Sequence, residues 1–376
     1  MRTTITLKSI IHHAAAAIAI LLSATAFSSC INSNDGPEYE PTVDPEYVSG
    51  MFILSQGGYG QGNSSLSFLD LSTYQYGNEI FANFNGFKLG DQAQSITMHG
   101  DDLWIVVSGS NVVFCIDAYT FKEKGRVTGL NTPRYIHFPE NDPSKAYITQ
   151  LYDNRIAIID PRTYKVTGYI DVPDMDPSTG STEMMVQYDK YVYVNCWSYQ
   201  NRIIRIDTTT DLVDASLTVG IQPKAMVMDR NHNIWVLTDG GYEGSPYGYE
   251  QPHLTRIDLP DFKIGLDLPM PLGSYASHLA VNGNGSRIYW ICNDVYTMPI
   301  ESTELPQQPI IYSKGTYYYG LAINPENDNI YLADALDYVQ RGVVRIYTPA
   351  GLDFMTLSNV GVCPQAFCYR PSLKKL

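Results

Sequence analysis

Val192–Asp211 reads "VYVNCWSYQNRIIRIDTTTD" and holds two short apolar runs with a polar, tyrosine-bearing interval between them. The first run is rich in β-branched and aromatic residues and fits a buried strand. The second ends in an aspartate followed by threonines, which is the chemistry of a tight turn. Neither run buries enough surface to stand alone. What decides the fold is that the pair recurs.

Runs like the first appear as "MFILSQ" at Met51, "LWIVVSG" at Leu103, "AYITQL" at Ala146, "IWVLTD" at Ile234, "IYWICN" at Ile288 and "IYLADA" at Ile330. Runs like the second follow each of them, five copies ending in Asp70, Asp117, Asp160, Asp207 and Asp258 at spacings of 47, 43, 47 and 51, with "VYTMPI" and "VVRIYTPAG" as degenerate copies. A third element precedes the first: "QAQSITMHG", "PRYIHF", "EMMVQY", "PKAMVMD", "SHLAVNG", "YGLAINP" and, at Pro364–Arg370, "PQAFCYR". Strands of this kind at this spacing predict an all-β chain folded as a seven-bladed β-propeller, because each small twisted sheet needs neighbours to cover both faces. The first blade lacks its own third element, so the C-terminal strand is expected to pair into it and close the ring. The five aspartates sit where a third strand turns into a fourth and are expected to hold backbone N–H groups.

This repeat resembles the YVTN/YncE-like and NHL-like propellers over residues 48–371. The resemblance implies an architecture and leaves activity open, since one ring hosts enzymes and binding modules alike.

Residues 1–29 read as a signal peptide, with Arg2 and Lys8 ahead of an apolar stretch from Ile10 to Phe27. PheSerSer before Cys30 looks like the lipobox of a bacterial lipoprotein, making Cys30 the lipidation site; a plain secretory signal with an incidental cysteine is the alternative. Residues 30–47 are rich in acids and prolines and predict a disordered tether, and residues 48–376 the propeller. Asp35 and Glu38 resemble the acidic export signal of surface lipoproteins in the Bacteroidetes, which implies an outer membrane, lipid-anchored, facing the exterior. No apolar run after the signal reaches the ~18 residues of a membrane span.

Formal net charge is -14, and removing Arg2 and Lys8 leaves -16, which argues against nucleic acid as a partner. Cys115, Cys196, Cys292, Cys363 and Cys368 lie on strand-like segments without CxxC spacing and read as small buried apolar residues.

In a propeller, loops joining the second strand to the third share a rim with the loops between blades. Those loops carry Tyr59, Phe84, Phe87, Tyr152, Trp197, Tyr199, Tyr242, Tyr247, Tyr249, Tyr275, Tyr317, Tyr318, Tyr319 and Tyr338; turns of the opposite rim, such as "PENDPS" and "NGNGS", are nearly free of aromatics. Some of these rings must pack inside the loops. Rigid amphipathic rings gathered on one face otherwise suit a binding surface. The candidate ligand-binding residues are Tyr152, Trp197, Tyr199, Tyr242, Tyr247, Tyr249, Tyr275, Tyr318, Tyr338 and Phe87, with Arg134 and Arg341 as nearby cations. The sixteen-residue loop Thr238–His253 reads as a flap of that rim.

No HExxH, GxSxG or phosphate loop is present, and the candidate site is read as non-catalytic. His137 and His278 fall on channel-lining strands. Asp174–Gly180 echoes a calcium loop, with the glycine one place late and Glu183 at the tenth position rather than the twelfth.

The combination of lipobox, acidic tether and seven-bladed ring resembles the vitamin B12-capturing surface lipoproteins of gut Bacteroidetes. That resemblance implies cobalamin and related corrinoids as bound ligands, no catalytic cofactor, and a TonB-dependent outer-membrane transporter as partner. A propeller lyase or lactonase acting on a sugar derivative, and a glycan- or protein-binding module, remain the alternatives.

Overall fold

Sheet-forming runs sort themselves by burial. In a computed structural model, which describes residues 48–373, strands such as Ile234–Thr238 and Ile330–Asp334 are buried at every position, whereas Leu212–Thr218 alternates between exposed and half-buried. A strand covered on both faces needs a continuous apolar run; an outer strand needs only one apolar face. The signal segment, Cys30 and the tether to residue 47 lie outside the described residues.

Among the described residues the strands form seven antiparallel sheets, six of four strands and one of three. Inner strands are Pro364–Arg370, Ala93–His99, Pro133–His137, Thr182–Tyr188, Pro223–Met228, Ala276–Val281 and Tyr318–Ile323, for blades 1 to 7. They abut in succession around the ring. Pro364–Arg370 pairs antiparallel with Gly50–Ser55, so the expected closure of the first blade is observed. Arg370 seals it from within: fully buried, it donates to the carbonyls of Ala118 and Val48 at 3.0 and 2.9 Å, with its guanidinium 4.1 Å from the Phe68 ring. A buried guanidinium tolerates this where its two Nη groups find carbonyl acceptors and its face meets an aromatic ring.

The second strand of every blade places one large aromatic at the same register: Phe52, Trp104, Tyr147, Tyr193, Trp235, Tyr289 and Tyr331, none more than 2% exposed. These rings fill the wedge between adjacent sheets, where the largest apolar areas leave water.

Four of the five turn aspartates act as expected. Asp70, Asp117, Asp160 and Asp207 each accept the backbone N–H two residues on, at 2.7, 3.0, 2.9 and 2.9 Å. Asp258 does not, because the residue two places on is Pro260, which has no N–H; its carboxylate takes Arg256 at 2.8 Å. Cys115, Cys196, Cys292 and Cys363 are buried free thiols and Cys368 is half-buried; all but Cys363, which sits in the loop just before Pro364–Arg370, lie on strands as expected.

Two features depart from the sequence reading. The degenerate sixth copy makes a three-stranded sheet, and its fourth strand is replaced by an irregular connection tied at the Val295–Ile311 bridge. The connection between blades 1 and 2 contains a helix, Ile80–Asn85, with Ile80 and Phe81 buried. Phe84 and Phe87 therefore pack on neighbouring rings: Phe84 lies 5.1 Å from Phe121, and Phe87, still 37% exposed, lies 5.2 Å from Phe81 and 5.0 Å from the Arg126 guanidinium.

Candidate functional site

Every inner strand begins with the same irregularity. The pairing register shifts by one residue between Ala93 and Ser95, Pro133 and Ile136, Thr182 and Met185, Pro223 and Ala225, Ala276 and Leu279, and Tyr318 and Gly320, and opposite Leu54 and Ser55 in blade 1. A bulge of this kind frees a residue from the ladder and re-aims its side chain. The second residue of each strand, Gln94, Arg134, Glu183, Lys224, Ser277, Tyr319 and Gln365, is thereby delivered to one end of the channel, where all seven line a cavity of about 560 Å³. That volume falls within the range of ligand pockets. Tyr152, Trp197 and Tyr275 also line it, with Ile96, Met184, Leu279 and Leu321.

The polar groups of this mouth are tied across blades. Arg134 Nε donates to both oxygens of Glu183 at 2.9 and 3.0 Å, and its Nη1 to Gln94 at 2.8 Å. Ser181 Oγ donates to the same Glu183, which is why the tenth position of the calcium-like loop is engaged elsewhere. Asp176 of that loop accepts from the backbone and hydroxyl of Ser178 at 2.8 and 2.7 Å. On the next sector Trp197 Nε1 donates to Asp239 at 3.0 Å, and Tyr319 Oη donates to Gln56 at 2.6 Å. His278 lines the mouth with Nδ1 2.9 Å from Ser277 Oγ; burial, reinforced by the Lys224 charge, pushes its imidazole down to about 3, so it is neutral. His137 lies on the same kind of strand and hydrogen-bonds Gln187 at 2.9 Å.

Above the cavity the long loop forms a flap with a narrow neck, bridged at Gly241 and Tyr249. Gly240, at φ 77°, is required there: a Cβ would stand 2.2 Å from the Glu250 carbonyl. The flap sends Tyr247 to stack on Tyr199 at 4.4 Å. The Tyr199 phenol is raised above its ordinary value chiefly by Tyr242, with burial, Tyr247 and Tyr152 adding. Tyr275 meets Tyr317 edge-on at 6.0 Å, and Tyr338 meets Tyr319 edge-on at 5.6 Å.

Tyr152, Tyr199 and Tyr338 hold left-handed backbone at φ 57°, 57° and 63°. Such a conformation costs a bulky residue about 1–3 kcal/mol. At the outer turns the left-handed Phe121 is repaid by full burial, whereas Tyr152 and Tyr338 are 53% and 48% exposed.

Of the residues expected from the sequence, Tyr152, Trp197, Tyr275 and Arg134 line the cavity, Tyr199, Tyr242 and Tyr247 cluster with Tyr152, and Tyr249 and Tyr338 are exposed nearby. Three are elsewhere. Tyr318 is 4% exposed and faces Tyr347, the hydroxyls 3.3 Å apart; the ring facing the mouth is Tyr319. Phe87 packs in blade 2, and Arg341 ties blade 7 to blade 1 through Glu79 at 3.1 Å and the Asn359 carbonyl at 3.0 Å. The sequence reading missed Gln94, Lys224, Ser277 and Gln365. The signal was the second residue of the third repeated element in each copy.

The family model described as "Domain of unknown function (DUF5074)" matches residues 49–350. Among solved structures, the periplasmic gluconolactonase of Pseudomonas aeruginosa is similar at 12% identity and TM-score 0.62, covering 86% of this chain and 99% of that one. A putative 6-phosphogluconolactonase of Bacteroides fragilis is 10% identical at TM-score 0.62, covering 88% and 100%. A quinoprotein alcohol dehydrogenase-like protein of Bacteroides thetaiotaomicron is 13% identical at TM-score 0.62, covering 86% and 78%. At these identities the likeness is one of fold. No curated protein matches the sequence.

Proposed function

The chain belongs to the DUF5074 family of propellers, and from that premise we propose that it is a binding protein that captures cobalamin and related corrinoids at the aromatic mouth of its channel. One observation supports this reading above the others: a 560 Å³ mouth with tied amide and ionic groups opens beneath an exposed crescent of tyrosines. A corrinoid is broad, with apolar edges and amide arms, so it needs ring surfaces at the rim and hydrogen-bonding groups below. Tyrosines held left-handed in the open are consistent with rings kept for contact rather than for packing. Tight capture requires little reorganisation, and a closed ring of sheets with a hydrogen-bonded mouth is preorganised.

In this proposal Cys30 carries the lipid that anchors the chain to the outer membrane, and a TonB-dependent transporter receives the ligand. The mouth binds without turnover. Titrating the purified protein with cyanocobalamin beside a panel of glycans and sugar lactones tests it. Saturable binding of the vitamin with no chemical change is expected; no binding at micromolar concentration, or turnover of a lactone, overturns it.

A further inference from the structure

The two basic side chains of the mouth differ in what they touch. Arg134 is held by three hydrogen bonds to Glu183 and Gln94. Lys224 donates to no described residue: its Nζ is 3.8 Å from Asp239 Oδ2, an ion pair beyond hydrogen-bond reach. Asp239 is already satisfied. Its Oδ2 accepts the Trp197 indole at 3.0 Å, and its Oδ1 accepts Gln222 at 2.8 Å and the Gly241 N–H at 3.0 Å.

The ammonium stands between two rings, 5.9 Å from the Trp197 centroid and 5.6 Å from that of Tyr275. Both distances are within cation–π range, so the rings hold the charge in place while supplying no acceptor. Ser277 lines the same cavity, its hydroxyl hydrogen-bonded at 2.9 Å to Nδ1 of neutral His278, so the pair adds polarity without charge. Three N–H donors thus face the cavity with aromatic walls on either side.

We propose that Lys224, with Ser277 and the walls of Trp197 and Tyr275, is an anion subsite for a singly charged phosphodiester carried by a ring-bearing ligand. The inference rests on the corrinoid reading, because cyanocobalamin carries a phosphodiester between its macrocycle and its terminal base. A monoanion suits the site better than a dianion, because Asp239 already stands 3.8 Å from the ammonium and leaves donors there with little surplus positive charge. Lysine serves here as a point charge, and a charge-assisted hydrogen bond in a partly enclosed site is among the stronger polar contacts.

The test is calorimetric titration of the full chain, as wild type, Lys224→Met and Lys224→Arg, with cyanocobalamin and with cobinamide, which lacks the phosphodiester-linked base. Lys224→Met is expected to weaken cyanocobalamin by about tenfold or more and to flatten its salt dependence. Lys224→Arg retains most of the affinity, and cobinamide changes far less than cyanocobalamin in Lys224→Met. An equal loss for both corrinoids, or no loss for either, overturns the subsite while leaving corrinoid capture standing. If the wild type binds neither corrinoid, capture falls and diphenyl phosphate decides the subsite. Binding to wild type but not to Lys224→Met supports it, and equal or absent binding overturns it.

Discussion

The core ring of Phe52, Trp104, Tyr147, Tyr193, Trp235, Tyr289 and Tyr331 and the mouth ring of Gln94, Arg134, Glu183, Lys224, Ser277, Tyr319 and Gln365 are each built from one residue per blade. Only the first repeats in kind. Each core position meets the same demand, a large apolar body between two sheets, and the answer is aromatic every time. Each mouth position is presented by the same bulge, yet the seven side chains differ in charge, length and hydrogen-bonding capacity. A repeat constrains what packing needs and leaves free what a non-repeating ligand needs.

The comparison breaks most visibly at its core side. Trp235→Ala is expected to destabilise the fold by about 3–5 kcal/mol, read as a lower urea midpoint, because it opens a cavity and removes the indole from Asp229. A midpoint near that of wild type would deny the core ring its role. Trp197→Ala on the mouth side is expected to leave the midpoint nearly unchanged and to weaken cyanocobalamin by about 30-fold, roughly 2 kcal/mol. Equal stability losses in the two variants would erase the distinction between the rings.

His278 sharpens the contrast by pH. Its folded pKa is depressed to about 3, so below its ordinary value of 6.5 the unfolded chain takes the proton first. Its contribution to stability is complete above pH 6.5 and is lost as the pH falls toward 3. His278→Gln should therefore make the acid-side loss shallower, by about 2 kcal/mol at pH 5, in thermal melts across pH 4–7. An unchanged profile would place the imidazole in water.

The blades were legible because burial on both faces writes an unbroken apolar run, and a run repeated seven times is hard to mistake. The ring closure followed from counting elements. The site was less legible for reasons of parity. Tyr318 and Tyr319 are adjacent in a strand, so a one-place error exchanges the face toward blade 6 for the face toward the mouth. A bulge compounds this, because it shifts parity without any mark in residue type. The helix Ile80–Asn85 was hidden in a connection although Ile80, Phe81 and Phe84 lie on one helical side. Asp258 shows a smaller failure: the motif was present, and Pro260 removed the donor it needed.

The sealing of the first blade by Pro364–Arg370 has a consequence for biogenesis. Gly50–Ser55, "GMFILS", leaves the ribosome with one ladder of N–H and C=O groups unpaired, and its partner follows only after some three hundred further residues, about 15–60 s of translation. For that interval a newly made chain carries a sticky, apolar sheet margin, and whatever shields it bears on the yield of closed rings.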